Sequence, residues 1–205
     1  MLKGWGQGTE TMHDLALFAL VLTFFHVSEF TLVYLFVPGD LSRDSWLLSK
    51  PYAFAMGLAL LEYLLESSLL DGFKQSTLGL RALGLVLVVV GEGTRKCAIL
   101  TAKASFTLSI KSQRRPGHGL VTSGIYSLCR HPGYLGWSIW SVGTQVLLRN
   151  PVCFLVFTVW SWKFFAERIP YEENLLLDMF GTEYQKYAER TPIGLPFIKS
   201  PIQRT

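Results

Sequence analysis

Arg130-His131-Pro132-Gly133-Tyr134 and the later set Arg168, Glu172 and Glu173 place cations, carboxylates, an imidazole and a phenol around apolar sequence that needs none of them. A guanidinium presents a planar fork that matches a carboxylate or phosphate, and an ionised carboxylate accepts hydrogen bonds from cationic, hydroxyl or amide donors. Pro132 suits the first turn of a helix, where the leading amide groups have no partner within the helix and are open to a ligand. With Tyr126 nearby, these residue types point to a site that binds and orients charged groups at the edge of a membrane. The alternative is interfacial anchoring, in which Tyr, Trp, Arg and Glu hold helix ends at the headgroup level.

The elements that must position them are helices in a bilayer. Half of the 205 residues are apolar and only 17% are charged, and the mean hydropathy is +0.32, which soluble domains of this size rarely show. Leu15 to Val37 is long enough to cross a core of roughly 30 Å and ends at the turn signal Pro38-Gly39-Asp40. The Gly-rich stretch before it lacks the basic region and cleavage site of a secretory signal, so this first segment reads as a retained anchor. Tyr52 to Leu70 and Leu78 to Leu100 follow, joined by the short polar link Asp71 to Thr77, and the three should pack as neighbours. Thr101 to Arg130 is polar and too short for a second domain. Tyr134 to Leu148 and Val152 to Phe165, split by Arg149-Asn150-Pro151, read as a tilted or partly re-entrant hairpin. Such a hairpin brings its second helix back to the level where the first began, so Arg168 to Glu173 should meet Arg130 to Tyr134 in space. Glu172 to Arg190 reads as an interfacial amphipathic helix stopped by Thr191-Pro192. Basic residues crowd Arg95 to Arg130 and the segment from Lys163 onward, which places these on the cytosolic side and the amino terminus on the other.

Several chemistries are excluded. The net charge of +4 is spread over the loops, which suits anionic headgroups rather than nucleic acid, and no nucleic-acid motif accompanies it. Cys97, Cys129 and Cys153 form no CxxC and read as buried thiols. His13 and His118 have no ligand partner at metal spacing, so no metal centre is expected. Gly91-Glu92-Gly93 lies inside an apolar run and is no dinucleotide loop. His26 and Glu29, Glu62 and Glu66, and Glu92 with Arg95 and Lys96 each lie one helical turn apart in a span and could face a common interior. An interhelical polar network is the reading preferred here over the lining of a substrate passage.

The stretches Gly119-Leu120-Val121-Thr122-Ser123-Gly124-Ile125-Tyr126, Arg130 to Trp137, Trp140-Ser141-Val142-Gly143-Thr144-Gln145-Val146, Asn150-Pro151, Arg168 to Glu173 and Phe180-Gly181-Thr182-Glu183-Tyr184 resemble the isoprenylcysteine carboxyl methyltransferases. The resemblance covers nearly the whole chain and is densest from Gly119 to Ile198. Arg-His-Pro-x-Tyr with Glu-Glu marks a wider group that includes phospholipid methyltransferases and sterol reductases. Ser-Val-Gly-Thr-Gln-Val and Arg-Ile-Pro-Tyr-Glu-Glu narrow it to this family, and the chain looks like a shorter member without the extra amino-terminal helices of animal relatives, as seen in plant forms.

The resemblance implies methyl transfer from S-adenosylmethionine to the carboxylate of a farnesyl- or geranylgeranyl-cysteine at the end of a processed C-a-a-X protein, in the endoplasmic reticulum membrane. It implies cofactor contacts at His118, Gly119, Leu120, Val121, Tyr126, His131, Pro132, Gly133, Tyr134 and Glu172. Lys111 falls at another cofactor-facing position, where animal relatives have glutamine. Arg168 is implied to hold the substrate carboxylate, with Arg168 and Glu172 as the catalytic pair and no metal. Gly133 replaces a serine common in the family, which matters little if the backbone makes the contact.

The expected fold is an all-α integral membrane protein of about five transmembrane or re-entrant helices, with a cytosolic carboxyl-terminal helical cofactor site. It forms one domain over 1–205, with a three-helix membrane part at 15–100 and the cofactor- and substrate-binding part at 101–205. The chemistry is consistent: a carboxyl terminus with a reference pKa of about 3.3 to 3.7 is ionised at neutral pH, so the site must position its nucleophile rather than deprotonate it. Attack of an anion on a cationic sulfonium methyl disperses charge, so a site shielded from water should favour the transition state over the reactants. A phospholipid amine methyltransferase, a sterol reductase-like enzyme and a non-catalytic scaffold are the competing readings. Prenyl length preference and oligomeric state are not written in the sequence.

Overall fold

A computed structural model describes residues 2–37, 41–70, 72–110 and 119–202. Its long helices are α1 (Leu2–Phe36), α2 (Lys50–Leu69), α4 (Leu78–Ala102), α5 (Pro132–Leu148) and α6 (Pro151–Phe180); α3 (Phe73–Ser76) is one turn and α7 (Thr182–Arg190) is short. No strand occurs among the described residues. Local sequence sets several of these starts. Ser49 accepts a hydrogen bond from the Tyr52 amide and Pro51 follows it, opening α2, while Pro132 and Pro151 open α5 and α6. The Glu62 carboxylate accepts the amides of Val152 and Cys153, each at 2.7 Å, so an anion sits on the positive end of α6.

All five expected segments are helical, with different limits. α1 starts at Leu2, well before Leu15. Gly8–Phe36 is also the one helix among the described residues that is long and apolar enough by composition alone to cross a membrane. The Asp71 to Thr77 link contains α3, whose Lys74 is buried and donates to Glu66 and to the carbonyls of Leu148 and Arg149. The second arm of the hairpin does not stop at Phe165: α6 continues through Pro170 to Phe180. The turn to polar residues after Phe165 changes the side chains while the backbone helix continues. Proline removes one ladder donor without ending the helix. The break falls instead at Gly181, whose φ of +53° favours glycine, so the expected helix from Glu172 to Arg190 is two elements. Pro38 to Asp40 lies outside the described residues.

The first three spans share a core with the hairpin, but the closest approach is between α4 and α5, which run antiparallel. Gly91 on α4 faces Gly136 on α5, while Gly84 faces the backbone of Leu147 and Gly143 that of Val88. A Cβ on Gly136 would lie 2.6 Å from the Arg95 amide nitrogen, and one on Gly143 would lie 2.9 Å from that of Val88. Spacing each glycine seven residues from its mate keeps all of them on one seam, so the two backbones touch along their length. Trp140, fully buried, fills the space beside this seam and stacks on Phe25 of α1 at 3.9 Å. Large apolar side chains on the outer faces, such as Phe24, Val89, Leu155 and Trp160, are exposed.

The intramembrane charges form two clusters at opposite ends of the bundle rather than one common interior. Glu29 takes Arg95 through two bonds of 2.8 Å and Lys96 at 2.6 Å, while Ser28 donates to Glu92 at 3.0 Å. At the other end, Asp14 pairs with Arg149 and accepts from Tyr63, and Lys74 joins Glu66 to Asn150. Each carboxylate thus has a cation or donor, as burial requires. The amino-terminal half of α1 therefore lies at the end away from Arg95. Cys129 and Cys153 are buried as expected, whereas Cys97 is exposed.

Candidate active site

The site is built on one face of α6 against the start of α5. Phe165, Arg168, Glu172, Leu176 and Met179 follow at helical spacing and line a cavity of about 470 Å³. Tyr134, in the first turn of α5, stands between the two charged members: Arg168 Nε donates to its hydroxyl at 2.9 Å, and that hydroxyl donates to Glu172 Oε2 at 2.5 Å. Arg168 Nη2 also donates to the Leu108 carbonyl at 3.2 Å, and the guanidinium lies 5.6 Å from the Tyr134 ring and 5.7 Å from that of Phe164. The Tyr134 ring stacks on Phe165 at 4.7 Å and lies nearly parallel to His131 at 5.6 Å. A carboxylate only accepts, so the Tyr134 hydroxyl keeps its proton on the Glu172 side and takes the Arg168 bond on its lone pair.

Glu172 and Glu173 are neighbours with different tasks, because successive residues on a helix point about 100° apart. Glu173 is fully buried and faces away from the cavity. Arg130 Nε donates to it at 2.6 Å, Ser200 Oγ donates at 2.5 Å, and His131 Nε2 lies 3.2 Å away. Arg130 also donates to the carbonyls of Ala188 and Thr191, fastening the tail after α7 to the start of α5. Burial alone would raise the Glu173 carboxyl; the bonds from His131, Arg130 and Ser200 outweigh it and hold its pKa at about 2. Arg130 and Glu173, conspicuous in the sequence, are thus a structural lock, with Glu173 behind the cavity and Arg130 at its wall.

Gly119, Leu120, Val121, Tyr126, His131, Pro132, Gly133, Tyr134, Arg168 and Glu172 all line the one cavity. Lys111 and His118 lie outside the described residues. The amides expected to be open at the start of α5 are largely engaged: those of Arg130 and His131 donate to Pro192 and Ile193, and those of Tyr134 and Leu135 donate to His131. The tail after α7 occupies the first two as a ligand would, and the His131 carbonyl takes the other two. A Cβ at Gly133 would meet the Phe106 ring at 3.4 Å, an ordinary contact, so the position has room for a side chain as small as serine.

The cavity also has walls outside 101–205. Phe25, Leu47, Tyr52 and Arg95 reach it from α1, α2, their connector and α4. Arg95 donates to the Gly133 carbonyl at 3.0 Å while paired with Glu29. An arginine inside an apolar span was the available signal, but pairing with a carboxylate explains it equally well. Near α7, the Tyr187 hydroxyl donates to the Tyr126 carbonyl at 2.6 Å, and Tyr184 and Tyr187 close that side.

A polar pocket held among helices with apolar outer faces has a close counterpart among solved structures. The eukaryotic intramembrane Ras methyltransferase ICMT superposes with a TM-score of 0.88 at 36% identity, over 93% of this chain and 68% of that one. Fold and site together define an intramembrane methyltransferase. The model of the isoprenylcysteine carboxyl methyltransferase (ICMT) family matches residues 83–178. Protein-S-isoprenylcysteine O-methyltransferase A of Arabidopsis thaliana is 48% identical over 92% of this chain and 95% of its own length. The Xenopus laevis protein-S-isoprenylcysteine O-methyltransferase is 46% identical over 87% of this chain and 62% of its own length. The chain belongs to the isoprenylcysteine carboxyl methyltransferase family.

Proposed function

We propose that this protein methylates the terminal carboxylate of prenylated cysteine in processed C-a-a-X proteins, with S-adenosylmethionine as methyl donor, at the cytosolic face of the endoplasmic reticulum membrane. The observation that carries this reading is one cavity that joins Arg168, held by Tyr134 and the Leu108 carbonyl, to Glu172 on the next turn. Arg168 gives an incoming carboxylate a guanidinium whose orientation is already fixed, which lowers the entropy cost of binding it. The aromatic and apolar walls from Trp137, Phe164 and Phe165 suit a hydrocarbon tail.

The residues on the α7 side fit S-adenosylmethionine. Leu120, Val121, Leu176 and Met179 offer apolar contact for a flat base, while Tyr126, His131 and Glu172 offer polar groups for its amino-acid end. When bound, it supplies an electrophilic methyl group. Arg168 and Glu172 then serve different partners: the cation holds the nucleophilic carboxylate, and the anion holds the donor's ammonium. Because the nucleophile is already ionised, the chain need only align it and exclude water. Residues 101–205 supply most of these contacts, and Phe25, Leu47, Leu48 and Tyr52 from 15–100 add to the apolar wall.

Membranes containing the chain, given labelled S-adenosylmethionine with N-acetyl-S-farnesylcysteine and phosphatidylethanolamine together, should yield a base-labile methyl ester on the farnesylcysteine. Label on the phospholipid, or on neither acceptor, contradicts the reading.

A further inference from the structure

The segment between α1 and α2, described from Leu41 to Ser49, forms one wall of the cavity and is held there by bonds that helix packing does not require. Ser42 and Ser45 cap a tight turn reciprocally: Ser42 Oγ accepts the Asp44 amide at 3.2 Å and Ser45 Oγ accepts the Ser42 amide at 3.0 Å. Leu47 follows with φ +56° and ψ +23°, its amide donating to the Asp44 carbonyl at 2.9 Å. A leucine in the left-handed region is unfavourable, so the surroundings must hold it there.

Trp46 provides that hold. Its ring stacks on Phe30 of α1 at 4.4 Å, and its carbonyl meets His26 Nδ1 at 2.7 Å. A carbonyl can only accept, so Nδ1 carries the proton and donates. Nε2 of the neutral ring then accepts from the Tyr52 hydroxyl at 2.8 Å. His26 therefore ties α1, the connector and the first turn of α2 together in one tautomer. The consequence lies next door: Leu47, Leu48 and Tyr52 line the same cavity as Arg168, as do Trp137 and Phe165. A substrate whose carboxylate rests on Arg168 directs its hydrocarbon into the apolar part of that cavity.

We propose that the α1–α2 connector is the wall that discriminates prenyl chains by length, with Leu47 as the specificity-determining contact and His26 as the positioning residue that locks it. This rests on the prenylcysteine reading above. Leu47→Gly keeps the left-handed backbone, which glycine adopts freely, and removes the side chain. Leu47→Phe enlarges it.

The test is steady-state kinetics with N-acetyl-S-farnesylcysteine and N-acetyl-S-geranylgeranylcysteine, with KM for S-adenosylmethionine measured alongside. Leu47→Gly should raise the geranylgeranyl-to-farnesyl ratio of kcat/KM by about tenfold, and Leu47→Phe should lower it, with KM for S-adenosylmethionine unchanged in both. His26→Leu should raise KM for the prenyl substrates while KM for S-adenosylmethionine holds, and His26→Gln, which can still bond at the ring's former positions, should recover part of the loss. A ratio unchanged in both Leu47 variants overturns the wall while leaving the reaction standing. A His26→Leu variant that loses both substrates equally overturns the lock. Absence of methyl transfer to either prenylcysteine by the unaltered chain overturns the reading and the wall together.

Discussion

Arg168 and Glu172, one turn apart on α6, are linked through a single hydroxyl: Tyr134 accepts from Arg168 Nε at 2.9 Å and donates to Glu172 Oε2 at 2.5 Å. A cation and a carboxylate at this spacing would ordinarily pair with each other. The interposed phenol spaces them and leaves each with bonding capacity toward the cavity, so the two can bind oppositely charged groups of two different substrates.

Tyr134→Phe removes that spacer while keeping the ring against Phe165. Arg168 and Glu172 should then relax toward each other, and kcat/KM should fall by roughly 10- to 100-fold, in line with about 1.5 to 3 kcal/mol for hydrogen bonds to charged groups. Kinetics with each substrate varied in turn measure this. Activity within twofold of the unaltered chain would mean that the bridge has no part in the reaction.

The lock behind the site should make the protein sensitive to acid. The pKa of Glu173 is lowered from 4.5 to about 2, so its contribution is complete above the unfolded value and drains as pH falls from about 4.5 toward 2. Thermal unfolding in detergent, followed against pH, should show this loss. Glu173→Gln should remove that part of the pH dependence and cost about 3 to 5 kcal/mol at neutral pH, because it leaves the Arg130 charge buried and unpaired. An unaltered pH profile in the variant would assign the acid sensitivity to other groups.

The α4–α5 seam and the site make opposite demands on glycine. Gly136→Ala places a methyl 2.6 Å from the Arg95 amide nitrogen and should destabilise by about 1 to 3 kcal/mol or prevent folding, since backbone cannot move aside as a side chain can. Gly133→Ser meets side chains alone, the Phe106 ring at 3.4 Å and the Ala98 Cβ at 3.9 Å, and should keep both stability and activity. Unfolding in detergent and methyl transfer by the two variants check the contrast.

The five helical segments were legible because long apolar runs and their proline and turn boundaries announce themselves. Their limits were less so: α6 passes through Pro170 because a proline within a helix removes a single donor, and nothing local distinguishes such a proline from a stop. The meeting of Tyr134 with Arg168 and Glu172 followed from hairpin geometry together with the family resemblance. The split between Glu172 and Glu173 did not, because it depends on which way α6 is rotated, and that is seen only in the partners Glu173 meets from distant parts of the chain, Arg130 and Ser200. The seam glycines were present at intervals of seven residues, but small residues reveal a contact only once two helices are known to be partners. Arg95 and Leu47 reach the cavity from sequence-distant elements; for Leu47 local pattern carries no sign of that, and for Arg95 the charge in an apolar run fits pairing with Glu29 equally well.

The division of labour between Arg168 and Glu172 is the central claim, and the most direct test is bisubstrate kinetics of Arg168→Ala and Glu172→Gln with farnesylcysteine and S-adenosylmethionine, beside equilibrium binding of each substrate. Arg168→Ala should weaken the farnesylcysteine side by about 100-fold or more while S-adenosylmethionine binding persists, and Glu172→Gln should weaken S-adenosylmethionine binding instead. Full methylation of farnesylcysteine by Arg168→Ala, or loss of the same substrate in both variants, would contradict it.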